Sequence, residues 1–447
     1  MVHRMRRWRI GSPDQLRALT REDIADFYQA YYQPSNTILA VVGQFDREQM
    51  LDQVVRFYGD RSDIPVERDR GPAEPPQSTF RYNWERGPLE YSQIALGYHV
   101  PDRLSDDSYV LDVLSAILTS GRASRMNQFL RDERGVIHGA TSAFVGFDGL
   151  GYFQLRLETS MPLDAEVAAL EEIERVQRFG VGEEELARAQ TLIAQEYYER
   201  LETVESLADE MARQEALGDW RRMDLYLEGI QAVTREDVQR VASEHLTQSN
   251  LGLFEYLPNG VTRSFSNDDF RANVLDRIPV DIVERSVEQF SVRASIPVPD
   301  VEVVLDLVRP PVRRQVLRGP EVYVLEDHRL PLVSFGIFYP GGRLYETESN
   351  SGITELMLRS ALRGTRRYNS ADISRRLENA GARIEIVNDP DFFGYVLDGV
   401  SGQIEEALEI LVEVLQEPTF PEDQVAQERA LQNARISELR EDNLRYP

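Results

Sequence analysis

Five histidines, His3, His99, His138, His245 and His328, are the first side chains to test for chemistry, and no two stand three, four or five residues apart. A helix that grips zinc through two imidazoles needs that spacing, so neither His-x-x-Glu-His nor His-Glu-x-x-His can be written on this chain. Cysteine is absent, which removes thiolate metal sites, thiol nucleophiles and disulfides. All 50 basic residues are arginine, which excludes Walker-type phosphate loops and Schiff-base chemistry. No Gly-x-Ser-x-Gly elbow occurs, and 76 carboxylates are too many for any pair to stand out.

One stretch nevertheless has the frame of a metal site without its ligands. It is Gly352-Ile-Thr-Glu-Leu-Met-Leu-Arg-Ser-Ala-Leu-Arg-Gly364-Thr365, preceded by the Phe335-Gly-Ile-Phe-Tyr-Pro-Gly-Gly342 strand and turn. It resembles the helix that carries the inverted motif His-x-x-Glu-His in the insulinase/pitrilysin family of zinc peptidases. There the helix opens on Gly, with His three residues on, Glu-His at six and seven, and Gly-Thr at twelve and thirteen. Here the three motif positions hold Glu355, Leu358 and Arg359. Leucine takes no proton from water, and arginine stays charged and repels a cation. Glu355 and Arg359 instead form a favourably ordered i, i+4 pair, worth roughly 0.2–0.5 kcal/mol. The resemblance implies a non-catalytic copy of a repeated protease unit.

The elements before that helix follow from caps and periodicity. Residues 12–31 are expected to be one helix, started by Ser12-Pro13, with Leu16, Leu19, Ile24, Phe27 and Tyr31 at helical spacing. Thr37 to Gly43 is a continuous apolar run that predicts a strand, and Asp46 predicts the cap of a helix reaching Gly59. Tyr32-x-Pro-x-Asn36 followed by such a strand resembles the segment that closes the family's first domain, so the chain is expected to begin inside a domain.

Residues 65–86, rich in Arg, Glu and Pro, are expected to be a linker. Beyond them Ser92–Val100 predicts a strand, Ser105–Arg134 a helical stretch interrupted at Ser120-Gly121, and 139–147 with 151–159 an antiparallel pair. Helices are expected over 164–179, 183–217 and 234–245, with a closing strand over 250–257. Thr20-Arg-Glu-Asp23 recurs as Thr234-Arg-Glu-Asp237, and Ser35-Asn36 as Ser249-Asn250, at one offset of 214 residues. Two successive domains are thus expected to share one closing element.

The stretch Gly121-x-x-Ser124-Arg125 through Leu130-Arg131 to Gly135-Val-Ile-His138 resembles the family's substrate-binding segment, in which an Arg and a Tyr hold the peptide backbone. Arg131 matches the Arg, and His138 stands where the Tyr would be. The resemblance implies substrate-binding roles for Arg131 and His138; the competing reading is that Arg131 packs and pairs within its own domain.

A formal charge of -26 argues against nucleic acid as a partner, since phosphate binding draws on a positive surface. No run of 18 apolar residues exists to span a membrane. The basic start, Met-Val-His-Arg-Met-Arg-Arg, leads into no apolar core, so no signal peptide is expected within these residues. A signal further upstream would place the protein in the bacterial periplasm.

The fold class expected is α+β, with repeated two-layer α/β domains whose mostly antiparallel sheets are covered by helices. The expected division is 1–64 as the end of a catalytic-type first domain, 65–86 as linker, and 87–258 as a second domain. Residues 259–314 would be a connector between halves, and 315–447 a truncated, non-catalytic third domain. The resemblance implies part of a zinc endopeptidase that hydrolyses peptides or small proteins in a clamshell chamber. It places the zinc upstream and no cofactor in this chain. The alternative is a non-catalytic partner subunit that binds substrate or scaffolds a separate zinc-bearing chain.

Overall fold

The computed structural model describes residues 11–59, 66, 72–147, 149–261, 266–284, 312–316, 321–389 and 392–441. The first segment is three capped helices: α1 (Pro13–Ala18) behind Ser12, α2 (Arg21–Tyr31) behind a Thr20/Asp23 capping box, and α3 (Arg47–Tyr58) behind Asp46. The single helix expected over residues 12–31 is thus two, because the Thr20 hydroxyl accepts from Asp23 N and starts α2 afresh, and neither buries a residue. The strand expected over residues 37–43 does not form. A strand draws its hydrogen bonds from a neighbour, and among the described residues no strand lies beside this run. Ile38, Leu39 and Val41 are accordingly exposed, as are Ile24, Phe27, Leu51 and Val55 on the flanking helices.

The second unit is a five-stranded sheet under helices. Its elements are β1 (Arg81–Gly87), β2 (Ser92–Val100), α4 (Asp107–Thr119), a π-type helical turn Met126–Glu133, β3 (Gly139–Phe147) and β4 (Leu150–Thr159). There follow α5 (Pro162–Phe179), α6 (Glu183–Arg200), α7 (Val204–Ala216), α8 (Arg222–Ala232), α9 (Arg235–His245) and β5 (Leu251–Pro258). The strand order is β1-β5-β2-β4-β3, antiparallel except for β1 with β5. Strand β2 alternates strictly, with Ile94, Leu96, Tyr98 and Val100 buried against Leu111, Leu114 and Ile117 of α4.

Three expectations are corrected here. Residues 65–86 are not all linker, because β1 forms the sheet edge, where polar side chains are tolerated. The helix expected over 183–217 is two, since the Thr203 hydroxyl accepts from Ser206 N and starts α7 afresh. The connector begins as packed structure: α10 (Asn267–Asn273) and the turn after it drive Phe270, Val274, Leu275 and Ile278 into the second unit's core. Residues 285–311 of that connector lie outside the described residues.

The third unit opens with a two-stranded pair, β6 (Arg313–Val316) and β7 (Glu321–Val324). It continues through β8 (Leu332–Pro340), α11 (Ile353–Ala361), α12 (Ser370–Asn379), β9 (Ala382–Asn388), β10 (Phe392–Val400), α13 (Ile404–Gln416) and α14 (Glu422–Glu441). Its sheet order, β8-β10-β9, repeats the antiparallel β2-β4-β3 arrangement of the second unit, with helices entered at the same point of the chain path. Leu358, Ile373, Leu377, Tyr395, Leu397, Ile410 and Val414 form its core.

The two units meet along α6 and α12. Val400 and Leu332 of the third pack on Tyr197, Tyr198 and Leu227 of the second. Arg383 pairs with Glu199 at 2.6 Å, and the Asn379 amide donates to Glu184 at 3.0 Å.

Candidate functional site

The α11 helix is built as the sequence suggests and turned in a way it did not. Gly352 sits before it with φ +88°, a left-handed conformation natural only to glycine. The Glu346 carboxylate accepts from Gly352 N at 2.7 Å and Thr354 N at 3.0 Å, so an acid caps the positive end of the helix dipole. Glu355 and Arg359 line an open, polar cavity of about 360 Å³ with Glu346, Ser351, Ile386 and Asn388. Leu358, between them in the motif, is 1% exposed and belongs to the core. Helical geometry alone explains this: positions three and four apart straddle the boundary of a buried stripe.

Zinc does not fit these residues. The Glu355 carboxylate is held by Arg359 Nε at 2.9 Å and by Arg435 Nη1, from α14, at 3.1 Å. A cation would have to displace two guanidinium groups and would find no imidazole. Leu358 is locked from the other side, where the Tyr395 hydroxyl donates to its carbonyl. The Gln432 amide likewise ties α14 to the carbonyl of Gly352.

Among the described residues, Asp107, Glu244 and His245 are the grouping of acid and histidine side chains with ligand atoms close enough to share an ion. Arg240 already occupies it, bonding Asp107 at 2.7 Å and Glu244 at 3.2 Å. His99 is half-buried, and the Asn250 side chain bonds its backbone carbonyl and amide. His328 is exposed, and His3 lies outside the described residues.

Arg131 and His138 are placed apart in role. Arg131 Nε donates to Asp132 at 2.8 Å on the helical turn, while His138 shares a hydrogen bond with Ser160 and packs its ring on Tyr91. The neighbouring Arg125 is the buried member of that stretch: its guanidinium binds both Glu185 oxygens, at 2.8 and 2.7 Å, and the Gly180 carbonyl. Arg125 therefore anchors the turn to the start of α6, a role its spacing did not reveal.

A second buried carboxylate was also missed. Glu378, at the end of α12, accepts from the backbone N–H groups of Arg122 and Ala123 in the second unit, 3.1 Å in the latter case. Burial pushes its carboxyl group up to about 7, against a lowering pull from Arg188 and the Ala123 amide. No local pattern marks it, since its partners lie more than 250 residues away in the chain.

The paired sheets of one topology, each under helices, and the altered metal helix define an insulinase-type peptidase fold. Residues 18–193 match the family model of the peptidase M16 inactive domain, and residues 322–445 that of insulinase, peptidase family M16. The chain belongs to the insulinase family of metallopeptidases, M16. An uncharacterized zinc protease of Mycobacterium tuberculosis is 28% identical over 269 residues, 57% of this chain and 59% of that protein. Among solved structures, the periplasmic protease PqqL of Escherichia coli aligns with 96% of this chain and 50% of its own, at TM-score 0.52 and 16% identity. The ferredoxin protease FusC, solved as a point mutant in complex with Arabidopsis ferredoxin, aligns over 95% and 50%, at TM-score 0.51 and 14% identity. At such identities the two structures speak to the fold alone. The chain spans less than two-thirds of each of these proteins. No helix among the described residues is long and apolar enough to cross a membrane.

Proposed function

We propose that this chain is a non-hydrolytic part of an insulinase-type zinc endopeptidase, helping to wall a chamber in which peptides or small proteins are cut. The observation that carries the reading is the content of α11: a carboxylate held by two arginines and a leucine in the core, where metal and base chemistry would be expected. The zinc, its imidazoles and the water-activating carboxylate are then supplied by polypeptide outside the described residues.

The bare apolar side of residues 12–59 supports that division. In the second unit, the element that repeats Thr20–Asn36 buries Val238, Val241 and Leu246 and runs on into β5, which pairs with β2. By that precedent α2 and residues 37–42 close a sheet belonging to a zinc-bearing unit. The alignment of this chain with half of PqqL and half of FusC agrees with such a partition. Ferredoxin in the FusC complex supports small proteins as the substrate class, and PqqL supports the bacterial periplasm as the compartment.

Metal analysis and a peptide-cleavage assay test the reading directly. The 447-residue chain should hold sub-stoichiometric zinc and cleave nothing, and a polypeptide bearing Gly-x-x-His-x-x-Glu-His, fused or added, should bring chelator-sensitive cleavage. Stoichiometric zinc with chelator-sensitive cleavage by the chain alone would overturn it.

A further inference from the structure

The seam between the second and third units holds buried charge that neither unit needs for its own core. Gly121, with φ +76°, turns the chain so that the N–H groups of Arg122 and Ala123 point into one hollow, a backbone nest for an anion. The carboxyl group of Glu378 fills it so closely that a Cβ on Gly121 would stand 2.5 Å from its carboxyl carbon. Glu378 thus reaches out of its own unit to the other's backbone and is nine-tenths buried there.

The surrounding groups are incompletely paired. Arg188 of α6 stands 3.9 Å from Glu378, and its Nε and Nη2 have no hydrogen-bond partner among the described residues. Glu184 of α6 accepts from Asn379 through one oxygen, and its other oxygen has no partner among the described residues. From the second unit's turn, Arg131 and Arg122 are both drawn to Asp132. On Glu378's own helix, Arg375 is paired with Asp372 and Arg376 with Glu406. Among the described residues no cation therefore reaches Glu378 through a direct hydrogen bond, and the ionised form is held by two amides and, from beyond hydrogen-bond reach, by the guanidinium groups of Arg188 and Arg131.

We propose that Glu378 is an acid-dependent clasp: its neutral carboxyl group holds α12 in the Gly121–Ser124 turn, and its ionisation loosens the seam between the two units. A neutral carboxyl group keeps an oxygen for the nest without the cost of burying charge. The docked group holds its proton more tightly than one in water, so docking takes up a proton. Docking is therefore fully favoured below the ordinary carboxylate value of 4.5 and weakens as pH rises to about 7. Within that window each pH unit changes the ratio of docked to undocked molecules by at most about tenfold.

The absence of cysteine allows a clean test. Spin labels at Glu228→Cys in α8 and Glu409→Cys in α13, both exposed, report the distance between the units. The otherwise wild-type pair should show one docked distance at pH 5 and a growing longer population towards pH 8. Glu378→Gln, which keeps an accepting oxygen and cannot ionise, should stay docked throughout; Glu378→Ala, which empties the nest, should show the longer distance even at pH 5. An unchanging distribution in the wild-type background overturns the proposal, whatever the variants do. So does a Glu378→Gln protein that follows pH as the wild type does.

Discussion

The Tyr395 hydroxyl of β10 donates to the carbonyl of Leu358 across 3.0 Å, so the middle of the altered motif is fixed to the sheet and not to the cavity. Burial raises the Tyr395 phenol above its ordinary range, so the donor stays protonated at neutral pH. A carboxylate restored at that position would point at Tyr395 and the aliphatic core. Leu358→Glu is expected to cost about 3–5 kcal/mol, the scale for an uncompensated buried charge. Urea unfolding at neutral pH would measure it, and a loss under about 1 kcal/mol would show the side chain able to swing outward.

The flanking positions should behave differently. Glu355→His with Arg359→His sets two imidazoles four residues apart on the cavity side and leaves Leu358 in the core. Calorimetry should then detect zinc binding that the wild type lacks, while peptide cleavage stays absent because leucine holds the base position and the Glu346 carboxylate is committed to the Gly352 and Thr354 amides. Cleavage by this double variant would contradict the geometry.

Arg125 and Glu185 are buried on each other, each side chain 7% exposed. Breaking such a pair from one side leaves a bare charge, so Arg125→Ala should destabilise by about 3–5 kcal/mol, while Arg125→Met with Glu185→Leu should recover most of the loss. The Arg125 guanidinium is the largest of the influences that hold the Glu185 carboxyl below its ordinary value against its burial. Its contribution is full above that ordinary value and disappears as pH falls through the lowered one, so the single variant should narrow the stability gap in acid.

Two identical capping boxes offer an internal control. Thr20 accepts from Asp23 N, and Thr234 from Asp237 N, each at 3.2 Å. Thr234→Ala should lower the second unit's stability by about 1 kcal/mol, because α9 packs into the core. Thr20→Ala should leave the main thermal transition where it was, because α2 buries nothing in this chain. Equal shifts in calorimetry would mean that residues 12–59 fold as part of the core.

Local signals read well wherever the chain also had a neighbour to satisfy them. Strand β2 alternates in sequence and pairs on both sides, so the expected bounds are the observed ones. The caps at Ser12 and Asp46 are set within three residues and needed no tertiary help, whereas the Thr20 cap, equally local, went unread inside a helix expected to run through it. Residues 37–43 failed by the same logic, because apolar content makes a strand only beside another strand. Strand β1 was hidden by its Arg, Asn and Glu, which an edge tolerates and a linker shares. Glu378 and Arg125 were illegible for a different reason: each is defined by a partner that only the folded chain brings near.

The uncovered side of α2, α3 and the run between them has a cellular consequence. Greasy, solvent-facing surface of that kind is what chaperones and quality-control proteases seize. Any state of the protein in which that arm stands uncovered should then be the short-lived one.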